Sequence, residues 1–282
     1  MMTLRLAFGS LGLCAAVAAA GCSSGEPSED VATGASGLNT GCAEETLKGI
    51  DVSRHNNDVD WAKVKASGQS FAFARVSDGI THVDGKFPDN WPAMKRVGIV
   101  RGAYQFFRPR RDPIEQADLM LQKIEEAGGL QAGDFPPVLD LEVVDGQSAS
   151  VVVTKAKAWL ARVESKVGMK PIVYTGNHMA STIGTNFAAY PLWIAHYTTA
   201  CPRVPAGWDT WQFWQNSDKG RVPGVSGDVD TNFFQGGTSE LSQLTLPAPA
   251  ELGPFPKTIQ PDVDDDGTDG ARMGDGIRGF IE

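Results

Sequence analysis

The chain is short of positive charge: its 282 residues carry 25 Lys and Arg against 34 Asp and Glu, a formal net charge of −9. Binding nucleic acid needs a basic face to neutralise phosphates, and no stretch supplies one. Residues 47–240 hold 21 basic and 21 acidic side chains, and the surplus acid sits in the flanks, 5 against 1 in residues 1–46 and 8 against 3 in residues 241–282. Cysteine is scarce, with four in the whole chain, so the fold does not rest on a dense disulfide framework. Long apolar runs are confined to Leu6–Ala20, shorter than the roughly 20 residues that span a bilayer. There is no internal repeat and no Gly-rich phosphate loop. What remains is a globular chain, 41% apolar, with enough material for one large core or two small ones.

The ends read as processing and tethering segments. Arg5, the apolar run and Gly21-Cys22-Ser23-Ser24 make a secretory signal over residues 1–21. Ala19-Ala20-Gly21-Cys22 resembles the bacterial lipoprotein cleavage box, in which the Cys is lipidated and becomes the first mature residue. Leu is more usual where Ala19 stands, which leaves ordinary cleavage nearby as the alternative. With Cys14 leaving in the signal and Cys22 carrying lipid, Cys42 and Cys201 are left to pair in an oxidising compartment, or to remain as two buried thiols. Residues 22–46 are rich in Ser, Gly, Glu and Ala and read as a flexible tether. Residues 241–282 form a Pro-rich, then acidic tail. Its Asp262-Val263-Asp264-Asp265-Asp266-Gly267 resembles half a calcium loop, but Met273 stands where the bidentate Glu belongs, so a solvated acidic tail is favoured.

Between the ends, strands and helices alternate. Strands are expected at Lys48–Ser53, Ser70–Val76, Ile99–Phe107, around Val138–Glu142, and at Pro171–Tyr174. Helices are expected near Asp60–Val64, at Trp91–Val97, after the Asp112-Pro113 cap up to Gly128, from Val152 to Val167, and near Asn177–Ile183. Leu192–Tyr197, Thr210–Gln215 and Val229–Phe233 then follow with only loops between them. The fold class is α/β, an irregular TIM-like barrel of five βα units and three bare strands over residues 47–240, with functional groups gathered at the carboxyl ends of the strands.

The acidic strand Phe135-Pro-Pro-Val-Leu-Asp-Leu-Glu-Val143 is its centre. Alternation puts Asp140 and Glu142 on one face, with Cβ atoms roughly 6 to 7 Å apart. Carboxyls that close perturb each other, so that one holds a proton while the other is charged, which is the equipment of glycoside hydrolysis. An amphipathic strand with a wet acidic face is the plainer alternative for an isolated Asp-x-Glu.

Six motifs in order separate the two readings. Gly49-Ile50-Asp51-Val52-Ser53 with Asp60-Trp61, Gly102-Ala103-Tyr104, Pro137-Val138-Leu139-Asp140-Leu141-Glu142, Tyr174-Thr175, Leu192-Trp193-Ile194-Ala195, and Trp214-Gln215 through Gly227-Asp228-Val229-Asp230-Thr231-Asn232 resemble the family 25 glycoside hydrolases, the Chalaropsis-type lysozymes. The resemblance covers about Leu47–Gly236. It implies cleavage of the β-1,4 bond between N-acetylmuramic acid and N-acetylglucosamine, with Glu142 as general acid and Asp140 steadying an attacking acetamido group. Asp51 and Asp230 are the further carboxylates of the cleft. The Asp140–Glu142 spacing does not choose between retention and inversion. Tyr104, Tyr174, Trp193, Tyr197 and Trp214 suit sugar faces, Trp159 and Trp211 read as core, and His55 and His196 as ordinary hydrogen-bonded residues rather than metal ligands. No cofactor or metal is implied. The expected partners are peptidoglycan strands and, through lipid, a bacterial membrane, with the chain a monomer. A wall-binding lipoprotein without turnover and a hydrolase of another amino-sugar polymer are the competing functions. Departures from the family pattern, at Gln105, His196 and Asp78, leave its fine substrate preference open.

Overall fold

The computed structural model of the protein describes residues 42–248. The expected signal over 1–21, the expected lipidation site Cys22, the expected tether up to residue 41 and the Asp-rich run of the tail lie outside the described residues. One sheet of nine strands is built from β1 (Thr46–Val52), β2 (Phe71–Asp78), β3 (His82–Val83), β4 (Val100–Phe106), β5 (Val138–Asp140), β6 (Ile172–Gly176), β7 (Leu192–Ala195), β8 (Phe213–Gly220) and β9 (Val229–Gln235). Its order is β1-β9-β8-β7-β6-β5-β4-β2-β3, and β1 also pairs with β2, so eight strands close into a barrel with the two-residue β3 on the rim of β2. The helices are α1 (Trp61–Ala66), α2 (Phe87–Arg96), α3 (Pro113–Glu126), α4 (Ala149–Val167), α5 (Ala180–Ile183) and α6 (Thr238–Gln243). Among the described residues no helix is long and apolar enough to cross a membrane.

The expected five βα units and three further strands are present, and their local causes are visible. Asp112 accepts hydrogen bonds from the Ile114 and Glu115 N–H groups at the start of α3, and Ser148 accepts from the Val151 N–H at the start of α4. Gly168, at φ 75°, ends α4 in the left-handed conformation that glycine adopts without strain. Along β2 the side chains alternate: Phe71 and Phe73 enter the barrel, while Ala72, Ala74 and Val76 join the outer layer against the helices.

The barrel interior is aromatic. Phe73 stacks on Trp193 with centroids 4.3 Å apart, and around it Phe135 packs stacked and Phe213 edge-on. Rings of that size fit because Gly49 and Gly102 line the wall; a Cβ at either would collide with Phe71 or Phe73. Leu47, Leu241 and Phe234 belong to the same cluster. The outer layer holds Trp159 and Trp211, both buried as expected.

Four features differ from the sequence reading. First, β9 runs antiparallel to both β8 and β1, whereas β1, β2, β4, β5, β6, β7 and β8 are mutually parallel. The link between β8 and β9 is residues 221–228, too short for the crossover that parallel pairing requires. Second, β5 ends at Asp140, so Glu142 stands on the loop above the strand and not within it. Third, the disulfide Cys42–Cys201, with Cα atoms 5.2 Å apart, pins the last residues of the expected tether to the barrel. Fourth, the barrel does not stop at residue 240. α6 crosses that boundary with Leu241 in the core, and the Leu246 N–H donates to the Asp134 carbonyl.

Candidate active site

Strand direction collects the acids. Asp51 sits near the carboxyl end of β1 and Asp140 at the end of β5, with Glu142 two residues beyond. β9 is antiparallel, so its first residues reach the same mouth, and Asp230 pairs directly opposite Asp51. The four carboxylates line one cavity of about 400 Å³ with Tyr104, Tyr174, Trp193, Tyr197, Arg75 and Gln215.

Asp51 is 4% exposed and its Oδ2 accepts two hydrogen bonds, from Gln215 Nε2 at 2.9 Å and Asn232 Nδ2 at 2.8 Å. Each amide is itself oriented. Gln215 Oε1 accepts from the hydroxyls of Tyr174 (2.7 Å) and Tyr197 (3.0 Å), and Asn232 Oδ1 accepts from Trp193 Nε1 (2.8 Å). Donors and acceptors alternate along the whole chain, so the Asp51 carboxylate is held from both sides by groups with one possible orientation.

Crowding sets the protonation. Burial, only partly offset by the Asn232 and Gln215 bonds, raises Asp51 to about 6, and burial together with the neighbouring Asp51 charge raises Asp230 to about 8. Asp140 is pushed well above the usual carboxylate range, first by burial and then by the charge of the neighbouring Glu142. Its Oδ1 is buried with no hydrogen-bond partner. At neutral pH the cleft therefore holds fewer charges than carboxyls, with Asp140 and Asp230 keeping their protons. The same burial and acidic surroundings raise Tyr104 and Tyr174, keeping their hydroxyls as donors. His178 Nε2 donates to the Glu142 carbonyl at 2.8 Å, steadying the loop that carries the acid.

Of the five aromatics expected at the sugar faces, four line the cavity. Tyr197 stands on the rim, 54% exposed, and Trp193 forms the floor. Trp214 does not. It is buried in the outer layer beside Trp211 and Phe233, and its Nε1 donates to the His196 carbonyl, because its position on β8 faces away from Phe213 and Gln215. His196 makes an ordinary bond, its Nδ1 accepting from the Arg203 N–H. Gln105 is fully buried behind the barrel against Ser77 and Trp159, and Asp78 is clamped by Arg108, so neither departure from the family pattern lines the cleft. The sequence reading passed over Gln215, Asn232 and Arg75 as site residues. The signal was parity: Phe213 with Gln215, Asp230 with Asn232 and Phe234, and Phe73 with Arg75 share inward faces.

A barrel whose mouth presents two neighbouring carboxyls, one of them buried, over an aromatic floor has the equipment of a glycoside hydrolase. Residues 50–225 match the model of the glycosyl hydrolases family 25, and the chain belongs to that family. It is 39% identical over 205 residues to the Escherichia coli K12 protein YegX, covering 71% of this chain and 73% of that one. It is 34% identical over 229 residues to lysozyme M1 of Streptomyces globisporus, covering 74% and 77%. Among solved structures, the bacterial lysozyme of Streptomyces coelicolor superposes with a TM-score of 0.65 at 35% identity, over 70% of this chain and 96% of that one.

Proposed function

We propose that the protein is a peptidoglycan hydrolase, an N-acetylmuramidase that cuts the β-1,4 bond between N-acetylmuramic acid and N-acetylglucosamine. The observation that carries this reading is the pair of neighbouring carboxyls Asp140 and Glu142, with Asp140 buried, at the mouth of a family 25 barrel beside Asp51 and Asp230. A glycosidic oxygen leaves only when protonated. In the free cleft burial favours the proton on Asp140. A bound sugar supplies its acetamido N–H to Asp140, whose Oδ1 lacks a donor, and it excludes water from Glu142. Both effects move the proton outward to Glu142, which gives it to the leaving oxygen. The acetamido oxygen then closes on the anomeric carbon as the C–O bond breaks, with Asp140 as carboxylate stabilising the charge on nitrogen. Water opens the resulting ring, losing its proton to Glu142 and restoring the pair. Asp51, ionised above about pH 6, adds negative potential toward the developing cationic centre, while Asp230 beside it keeps its proton.

The enzyme works outside the cytoplasm, on the wall. Residues 1–21 serve as the signal, and Cys22 carries the lipid that holds the barrel to a bacterial membrane through the tether. The basis is the lipoprotein-like box at Ala19–Cys22. Mass analysis of fragments from purified peptidoglycan tests the activity. Muramic acid reducing ends are expected, and glucosamine reducing ends would refute a muramidase.

A further inference from the structure

Arg75 is the one Lys or Arg lining a cavity that holds Asp51, Asp140, Glu142, Asp228 and Asp230. It continues the inward face of β2 past Phe71 and Phe73, and its side chain is 16% exposed. Its Nε donates to Asp84 Oδ2 at 3.0 Å. Asp84 is itself fixed, 1% exposed, accepting from the Arg54 N–H at 2.9 Å and the Lys86 N–H at 3.0 Å.

Other arginines in the barrel are engaged differently. Arg101 on Asp134, Arg108 on Asp78 and Arg162 on Asp118 each close both Nε and Nη2 onto a carboxylate. Arg75 commits only Nε. Among the described residues neither of its Nη groups bonds to a protein acceptor, although five carboxyls share the cavity that Arg75 lines, so a pair of charged donors is left open on the cleft wall. A planar fork of that kind matches a two-oxygen acceptor.

We propose that Arg75 is a specificity-determining residue that binds the carboxyl group of the 3-O-lactyl substituent of muramic acid. The assignment rests on the muramidase reading. The lactyl carboxyl is what distinguishes muramic acid from glucosamine, and it offers Arg75 either a carboxylate or, where a stem peptide is attached, an amide carbonyl. Asp84 fixes the guanidinium edge from behind, so the fork meets the ligand without first losing side-chain freedom. Polymers of N-acetylglucosamine alone have nothing to place there.

The test compares glycan fragments stripped of stem peptides, with free lactyl carboxylates, against the same fragments with those carboxyls converted to methylamides. The wild type is expected to prefer the carboxylate by about tenfold in kcat/KM, because a charge-assisted bidentate pair is replaced by one to a neutral carbonyl. The preference should lie in KM, as expected of an interaction made equally in ground and transition states. Arg75→Gln should bring the ratio near one and Arg75→Lys should retain part of it. Should Arg75→Gln fail to fold, the wild-type and Arg75→Lys ratios still decide. Equal rates of the wild type on both fragments overturn the assignment. So does an Arg75→Gln variant that slows equally on both and shifts only its pH profile, the mark of a counter-charge for Asp140. Cleavage of neither fragment by the wild type overturns the muramidase reading and the assignment with it, a result distinct from cleavage without preference.

Discussion

Replacing Asp230 by Asn should make the protein more stable at pH 8 and no more stable at pH 4. In the folded protein burial and the Asp51 charge hold the Asp230 carboxyl up to about 8, against a usual value of 3.8. A raised acid binds its proton more tightly folded than unfolded. The associated stability is fully present below pH 3.8 and is lost as pH rises to about 8. At about 1.36 kcal/mol per pH unit the ceiling on that loss is about 6 kcal/mol. Water reaches one side of Asp230, and Asp51 competes for the same proton, so substitution should recover a smaller part, about 1 to 3 kcal/mol. Asn keeps the shape and offers Asp51 an N–H in place of the shared proton. For a barrel of this size each kcal/mol moves Tm by about 2 to 4 °C, so a rise of roughly 2 to 12 °C is expected at pH 8. Scanning calorimetry of both proteins at pH 4, 6 and 8 reads this directly. An offset that is the same at pH 4 and pH 8, or a fall at pH 8, would refute the reasoning that desolvation and like charge set the state of the cleft. Activity should drop in the same variant, since the strain relieved belongs to the site.

Glu142→Gln should keep the fold and wall binding while lowering the rate by roughly 10² to 10⁴, because the transferable proton goes and the shape stays; wild-type turnover would remove Glu142 from the mechanism. Cys22→Ser should release the protein from membranes, and unchanged fractionation would reject the lipid anchor. Replacing Cys42 and Cys201 together by Ser opens a bridge between residues 159 positions apart and should cost up to about 4 to 5 kcal/mol. Chemical denaturation measures it, and an unchanged midpoint would show that the first residues of the barrel are held without it.

Much of the site was legible because its signals are local. Asp-x-Glu alternation, the Asp112 cap and the 3.6 spacing from Val152 to Val163 depend on backbone sterics and neighbours within a few residues. Trp214 was misplaced for want of a reference face: an aromatic near a strand end reads the same whether it points into a barrel or out, and only Phe213 entering the interior settles the parity. The loop position of Glu142 was hidden because alternation continues on paper after the ladder has ended.

The sequence by itself therefore determined the order of the strands and helices over the barrel, the four acids that meet in its cleft, and Cys42 and Cys201 as the two cysteines available to pair. Tertiary structure alone decided that β9 runs backwards and brings Asp230 against Asp51, that Gln215 and Asn232 hold Asp51 between them, that burial raises Asp140 well above the usual carboxylate range, and that the Arg75 fork stays open. The first set follows from interactions along the chain. The second depends on desolvation and on through-space fields between residues far apart in sequence, which do not exist until the barrel closes.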